Sequence, residues 1–109
     1  MKYKLTKNKK EVFGVTLYQI QALKDFRDVK KGELGGWIEK EKNLEQKGNS
    51  WIYENAKVYG DARIFGNARI HENARIFGNA RIFGRAVVCG NSIVSRDSWV
   101  FEGVKCADK

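Results

Sequence analysis

The side chains best suited to acid, base or nucleophilic chemistry are few in this sequence. It holds one histidine, His71, and two cysteines, Cys89 and Cys106. A thiol beside an imidazole is a typical nucleophile and base pair, and Cys89 follows His71 at a multiple of six positions. Neither cysteine has the spacing of a zinc or thiol redox motif. We therefore predict no catalytic residue, no metal site and no cofactor, and we interpret His71 as an ordinary surface histidine.

A second group of residues, arginines and large aromatics, recurs at regular spacing in the second half of the chain. Arginine, tryptophan and tyrosine dominate the energetics of protein interfaces, and monomers rarely leave a large apolar patch exposed. We predict that these side chains bind a partner. The residues are Arg63, Phe65, Arg81, Phe83, Trp99 and Phe101, with Arg69, Arg75 and Tyr59 behind them.

The element that positions these residues is a repeat of six. Aliphatic residues occupy every sixth position from 52 to 100, and a small residue follows each of the first eight by four positions. Glycine, asparagine and aspartate stand between them, as expected of tight corners. A helix would turn residues six apart away from a common face, so the pattern argues strongly against a helix. It predicts a parallel β-helix with three hexads in each coil.

Repeats of the type Asn-Ala-Arg-Ile-Phe-Gly resemble those of the hexapeptide-repeat proteins. The resemblance implies a left-handed parallel β-helix of triangular section, with about three rungs in residues 52–105. The arrangement of the chain also resembles that of small proteins from bacteriophages and prophages. Many hexapeptide-repeat proteins are acyltransferases, but those members carry longer solenoids and loops that shape an acyl-donor cleft. We expect a convex prism without a pocket here.

In this fold, positions three hexads apart stack on one another. Ile52, Ile70 and Val88 should form one inward column, and two further columns should follow from the next two hexads. By the same counting, Cys106 should point inward on Val88 and Cys89 outward, so the two should not pair. Trp51 and His71 should point outward. Glu72 occupies a corner where glycine is usual, and we interpret it as a deviation from the repeat.

The first fifty residues lack the repeat and are predicted to form a small N-terminal β cap, residues 1–50, on the β-helix of residues 51–109. Strands are expected at Tyr3–Thr6 and Val15–Leu23 around a turn at Lys7–Lys10 and Gly14. Leu17, Ile20 and Leu23 should be core residues. A glycine-rich stretch around Trp37 suits a chain that bends into the first coil. At the other end, an uncapped strand edge invites pairing, so we predict oligomerisation through Phe101 and Val104 into a dimer or trimer.

Composition narrows the class of protein. The chain has 109 residues, 42% of them hydrophobic, and 21 Lys and Arg against 13 Asp and Glu give a net charge of +8. This is the composition of one small globular domain, which the repeat predicts to be all-β, and its charge favours acidic partners. The basic N-terminus has no apolar stretch of a signal peptide or membrane span. We expect a cytoplasmic protein.

These observations lead to a functional hypothesis with two alternatives. The main hypothesis is a non-enzymatic, phage-type binding protein that blocks a host protein by occupying its surface, for example a bacterial defence nuclease as in anti-CRISPR inhibition. The first alternative is a basic nucleic-acid-binding protein, since arginines among aromatics suit phosphates and stacked bases. The second is a hexapeptide-repeat acyltransferase, which would need His71.

Overall fold

A hairpin and a β-solenoid make up the protein. The computed structural model describes residues 1–107. Two long strands open the chain, β1 Tyr3–Val12 and β2 Val15–Ala22. The third, β3 Leu34–Ile38, pairs antiparallel with β2 and parallel with β5 Lys57–Val58, a strand of the solenoid. The hairpin and the solenoid therefore share one sheet.

Short parallel strands form the three faces of the solenoid. The first face contains β4 Trp51–Ile52, β7 Arg69–Ile70, β10 Val87–Gly90 and β13 Val104–Ala107. The second contains β3, β5 Lys57–Val58, β8 Arg75–Ile76 and β11 Ile93–Val94. The third contains β6 Arg63–Ile64, β9 Arg81–Ile82 and β12 Trp99–Val100. The prediction of an all-β parallel solenoid is confirmed.

The inward positions of the repeat form the core in the predicted columns. Ile52 stacks on Ile70 and Ile70 on Val88, in a register of three hexads. The two other columns follow the same register, and their members are Val58, Ile76, Val94, Ile64, Ile82 and Val100. Only Val100, in the last of the three stacked coils, is half-buried, while the others are buried. Each buried aliphatic side chain contributes roughly 1.5–3 kcal/mol.

The solenoid begins before the regular repeat does. Ile38 pairs with Val58, and Leu44 pairs with Ile64, so both residues lie in the columns of a preceding coil. This coil is irregular because the chain takes six residues from Ile38 to Leu44 but eight from Leu44 to Ile52. It includes a 3-10 helix at Glu41–Asn43.

The N-terminal hairpin differs from the prediction in the position of its turn. β1 continues through Lys7–Lys10 with a register irregularity between Leu5 and Lys9, and the turn lies at Phe13 and Gly14. Charged residues suit this exposed strand as well as they suit a turn, so composition could not separate the two. Leu17 and Ile20 are buried as predicted, whereas Leu23 is only partly buried.

The hairpin and the loop after it cover the first coil of the first face. Trp51, which we expected on an outer face of the solenoid, is fully buried, with its ring 5.3 Å from that of Phe26 and 6.3 Å from that of Tyr3. Beside it, the Lys2 ammonium donates a 2.7 Å hydrogen bond to the Ser50 carbonyl. Burial lowers the pKa of Lys2 to about 8. The cap thus buries the aromatic residue that the repeat alone leaves exposed.

The pairing of the two cysteines also differs from the prediction. Cys89 and Cys106 face each other across β10 and β13 and form a disulfide, with their Cα atoms 4.5 Å apart. The last coil is one residue short, because Val87 pairs with Val104 and not with the residue three full hexads later. Lys105 therefore pairs with Val88, in the place that we expected for Cys106.

The structure of residues 1–107 contains no helix with the length and apolar composition that a membrane span requires.

Candidate functional site

His71 lies in a cluster of polar side chains at one end of the first face. It directly follows β7, and Tyr53 follows β4 one coil below. The register of the coils stacks the two rings, with centroids 4.1 Å apart and planes 10° from parallel. We call Asp28, Tyr53, Glu54, Arg69 and His71 the His71 cluster. The side chain of His71 retains 28% of its exposure, so solvent can reach it.

The burial of His71 favours the neutral form of its imidazole. Burial is the main cause that lowers the pKa of His71 below its ordinary value of 6.5, and the Arg69 guanidinium lowers it further. The carboxylate of Glu54 opposes this effect, with its Oε1 atom 3.8 Å from Nδ1 of His71. A neutral imidazole at physiological pH has a free lone pair and can accept a proton.

A second carboxylate fixes the ring on which His71 stacks. The Tyr53 hydroxyl donates a 2.8 Å hydrogen bond to Oδ1 of Asp28. This bond lowers the pKa of Asp28, while burial and the same bond raise the pKa of Tyr53. Tyr53 is therefore a neutral donor, and the bond ties the solenoid to the loop between β2 and β3.

The corner beside His71 is built from two glutamates. Glu54 and Glu72 adopt left-handed backbone conformations, with φ of 58° and 61°, where most other corners have glycine. Oε1 of Glu54 accepts a 3.0 Å bond from the Glu72 N–H, and Oε1 of Glu72 accepts a 2.9 Å bond from the Gly90 N–H. Glu72 is thus part of a carboxylate ladder that holds Glu54 near the imidazole, and the interpretation of Glu72 as repeat deviation missed this role.

Cys89 does not form the nucleophile and base pair that its spacing from His71 suggests. Its sulfur is bonded to that of Cys106. A sulfur in a disulfide has no thiolate to attack a substrate. The chemistry of this cluster is therefore that of the imidazole and its neighbouring carboxylates.

A groove of about 900 Å³ lies on the third face, where we expected a convex surface. The 3-10 helix and the residues after it, 41–46, line this groove beside β6, and we call this segment the ledge. Glu41, Lys42 and Glu45 contribute charged side chains to the lining, and Arg63, Phe65 and Arg81 of the following coils complete it. Asn43 anchors the ledge, because its Nδ2 donates to the carbonyls of Gly60 and Ala62.

The structure places most of the predicted partner-binding residues together on the third face. The rings of Phe65 and Phe83 stack at 4.9 Å, those of Phe83 and Phe101 at 5.8 Å, and Trp99 meets Phe83 edge-on at 6.1 Å. Trp99 is 64% exposed and Phe101 is 53% exposed. Arg63 and Arg81 pair in register along the same face.

The remaining predicted residues lie elsewhere. Arg69 belongs to the first face, inside the His71 cluster. Arg75 lies on the second face with its guanidinium 4.5 Å from the Phe13 ring. Tyr59 is buried and stacks on Phe77 at 5.2 Å, so its ring is not open to a partner. Val104, predicted to mediate oligomerisation, is 73% exposed on β13.

Sequence comparison agrees with this architecture. Residues 56–72, 74–90 and 80–96 match a family model described as the YdcK β-solenoid repeat. The repeat region is a hexapeptide-repeat β-solenoid. A stretch of 41 residues is 54% identical to a protein of Escherichia coli K12 named "Uncharacterized acetyltransferase YdcK". This alignment covers 38% of the chain and 13% of the relative.

These matches overturn two of our expectations. The hypothesis of a non-enzymatic inhibitor of a host defence nuclease is wrong, because the repeats match those of a protein that is named as an acetyltransferase. The expectation that the chain is not an enzyme is contradicted by the same finding. The acyltransferase alternative is favoured instead. Asp28, Tyr53 and Glu54 were missed as site residues, although the repeat already placed Tyr53 and His71 in one column.

Proposed function

We propose that this solenoid takes part in acyl transfer and that His71 is its general base. The observation that carries the proposal is the partly exposed imidazole, stacked on Tyr53 and facing the carboxylate of Glu54. The name of the Escherichia coli relative supports the reaction class. Because the chain spans 13% of that relative, we infer no substrate for this chain from the relative.

His71 would act on the acyl acceptor. An activated acyl donor, such as a thioester, supplies a carbonyl carbon that an amine or hydroxyl can attack. The imidazole accepts the proton that the amine or hydroxyl loses as its nitrogen or oxygen bonds to this carbon. The proton then passes to the departing thiolate as the carbon–sulfur bond breaks, so that the imidazole is neutral again.

The neighbours of His71 suit this role. The carboxylate of Glu54 stabilises the imidazolium that forms when the proton arrives. The Tyr53 ring fixes the plane of the imidazole, and the bond from Tyr53 to Asp28 fixes the ring in turn. Burial lowers the pKa of His71, and Arg69 lowers it further. These surroundings favour a neutral base before the reaction and stabilise its protonated form during it.

The experiment measures acetyl transfer from acetyl-coenzyme A, used as the probe donor, to panels of amines, amino sugars and simple sugars. Release of free thiol and the mass of the products report the reaction. We expect His71→Gln to lower kcat by about 10²–10⁴-fold, the usual contribution of a general base. Asn79→Ala, an exposed corner change away from the cluster, is the matched control and should retain full activity.

Two results would contradict the proposal. If wild-type protein acetylates no acceptor of any panel, the assignment to acyl transfer fails. If a product forms but His71→Gln is as active as Asn79→Ala, the solenoid transfers acyl groups by another base. Far-ultraviolet circular dichroism of each variant separates loss of the base from loss of the fold.

A further inference from the structure

The disulfide lies one coil above His71, in the same outward column of the first face. Val88 of β10 pairs with Ile70 of β7, and the His71 N–H donates a 2.8 Å hydrogen bond to the Val88 carbonyl. Since Val88 and Ile70 are both buried, the side chains that follow them turn to the outside. Cys89 is therefore the next residue above His71, at the roughly 4.8 Å spacing of paired strands. The column runs from Tyr53 through His71 to Cys89.

We propose that Cys89 is a nucleophile that the disulfide blocks, and that its thiol, once the disulfide is reduced, takes an acyl group from a thioester with His71 as its base. A thiol beside an imidazole is a typical nucleophile and base pair. The choice of a thioester rests on the proposed function. The pairing of the thiol with the imidazole rests on the register of the coils alone.

The two sulfurs differ in their access to a reductant. Cys106 is exposed on β13, the outer strand of the first face, whereas Cys89 is half-buried. A dithiol reductant should therefore attack the sulfur of Cys106, so that the thiolate of Cys89 leaves beside the imidazole. The second thiol of the reductant then releases Cys106, and the reductant becomes a disulfide. Within residues 1–107, β13 pairs with β10 alone, so its release uncovers Cys89.

The acyl group then reaches Cys89 by exchange of one thioester for another. The thiol proton passes to His71 as the Cys89 sulfur bonds to the carbonyl carbon of the donor. The bond from this carbon to the donor sulfur breaks, and the imidazolium returns the proton to the departing thiolate. The products are S-acyl Cys89 and a free donor thiol. An amine or hydroxyl acceptor can attack the S-acyl group next, with His71 again as the base.

The charges around His71 suit a proton that stays only briefly. Burial is the main cause that lowers the pKa of His71, and Arg69 on the same strand lowers it further. Three carboxylates oppose this effect, those of Glu54, Asp28 and Glu72. The nearest atom, Oε1 of Glu54, is 3.8 Å from Nδ1 of His71. These carboxylates stabilise an imidazolium that has taken the thiol proton, and the thiolate and imidazolium stabilise each other.

Two single-cysteine variants test the proposal. Cys106→Ala leaves Cys89 above His71, and Cys89→Ala leaves Cys106 exposed on β13. Both variants lack the disulfide, so each is the matched control of the other. Each is incubated with acetyl-coenzyme A as the probe donor, and intact and peptide masses locate the acetyl groups. Neutral hydroxylamine removes an acetyl thioester but leaves acetylated lysine.

We expect Cys89 to become acetylated about 10-fold faster than Cys106 or more, because only Cys89 has a base as its neighbour. His71→Gln in the Cys106→Ala background should lower the rate to that of Cys106, and Asn79→Ala in that background should leave it unchanged. Alkylation by iodoacetamide against pH gives a second readout. Its limb should move toward the ordinary thiol value of about 8.5 in the His71→Gln variant. Wild-type protein should gain an acetyl thioester only after treatment with dithiothreitol.

Three results would each overturn the proposal: equal acetylation of the two single-cysteine variants, an alkylation profile that His71→Gln does not move, or no acetyl thioester on Cys89. The two proposals fail in different ways. Acetyl on Cys89 without any acetylated amine or sugar would contradict the transfer to acceptors and leave the thiol site intact. Acetylated acceptors made by the oxidised protein, with no acetyl on Cys89 after reduction, would do the reverse.

Discussion

The imidazole of His71 lies flat on the phenol ring of Tyr53, with centroids 4.1 Å apart and an angle of 10° between the planes. The stack buries one face of the imidazole, and burial is the main reason that the pKa of His71 falls below 6.5. A histidine with a lowered pKa remains unprotonated, and so can act as a base, at lower pH than a free histidine does.

The first prediction concerns the pH dependence of acetyl transfer. The unprotonated fraction of His71 should control the acidic limb of the rate, and this limb should lie below pH 6.5, the ordinary histidine value. Tyr53→Leu removes the stacked ring and exposes the imidazole, so the limb should move up toward 6.5. The measurement is kcat/KM against pH for both proteins. An unchanged limb in Tyr53→Leu would show that the stack does not set the pKa.

The same pKa shift predicts how His71 affects stability. Because the pKa is lowered in the folded state, the unfolded chain binds more protons below pH 6.5. The free energy of unfolding should therefore fall as the pH drops through 6.5 toward the folded pKa, and this component should be absent in His71→Gln. Urea unfolding at a series of pH values measures it. Parallel curves for the two proteins across the acidic range would argue against a shift.

The second prediction concerns Asn43, the anchor of the ledge. Its Oδ1 accepts the N–H groups of Glu39 and Lys40, and its Nδ2 donates to the carbonyls of Gly60 and Ala62. Asn43→Ala leaves these groups without their partner in a buried site, at a cost of about 1–3 kcal/mol for an unsatisfied group. Urea unfolding gives the loss, and Asn79→Ala, an exposed asparagine, is the control. A loss no larger than that of the control would show that water replaces the side chain.

The third prediction concerns one column of corners. Gly78 has φ of 67°, and a Cβ atom there would lie 2.7 Å from the backbone nitrogen of Arg96 in the next coil. Arg96 itself has φ of 59°, which is costly for a residue with a Cβ atom. Gly78→Ala should therefore destabilise the protein by more than about 1 kcal/mol, whereas Arg96→Gly should stabilise it by about 1 kcal/mol. Thermal unfolding of the two variants should give changes in Tm of opposite sign. Changes of the same sign would contradict the role of backbone conformation at these two corners.

The fourth prediction concerns the disulfide between β10 and β13. It closes a loop with a sequence separation of 17 residues, and a loop of this length contributes roughly 3 kcal/mol by constraining the unfolded chain. Reduction should release β13 and speed hydrogen exchange at the amide of Val87, which donates to Gly103. Amides of β6 should be unaffected. A Cys89→Ala/Cys106→Ala variant should not respond to reductant, and equal exchange before and after reduction would contradict a role for this bond.

The sequence alone determined the repeat and its consequences. Every inward column was readable from the period of six, because each hexad contacts its own neighbours in the coils above and below and little else. The stack of Phe65, Phe83 and Phe101 followed from the same counting. The stack of Tyr53 on His71 was equally accessible. The chemistry of this stack could not be predicted in the same way, because the pKa of the imidazole depends on burial and on nearby charges that no short motif contains.

Only the tertiary structure decided the features built from irregular or distant segments. The ledge and its groove exist because Asn43 bonds to the corner beyond β5 and because the chain inserts two extra residues between Leu44 and Ile52. Trp51 is buried because Tyr3 and Phe26 pack on it from the cap. The cysteines meet because the last coil lacks one residue. A periodic sequence predicts the contacts between repeats that stack in register. The contacts described here involve segments in which the repeat is irregular or absent, so the period could not predict them.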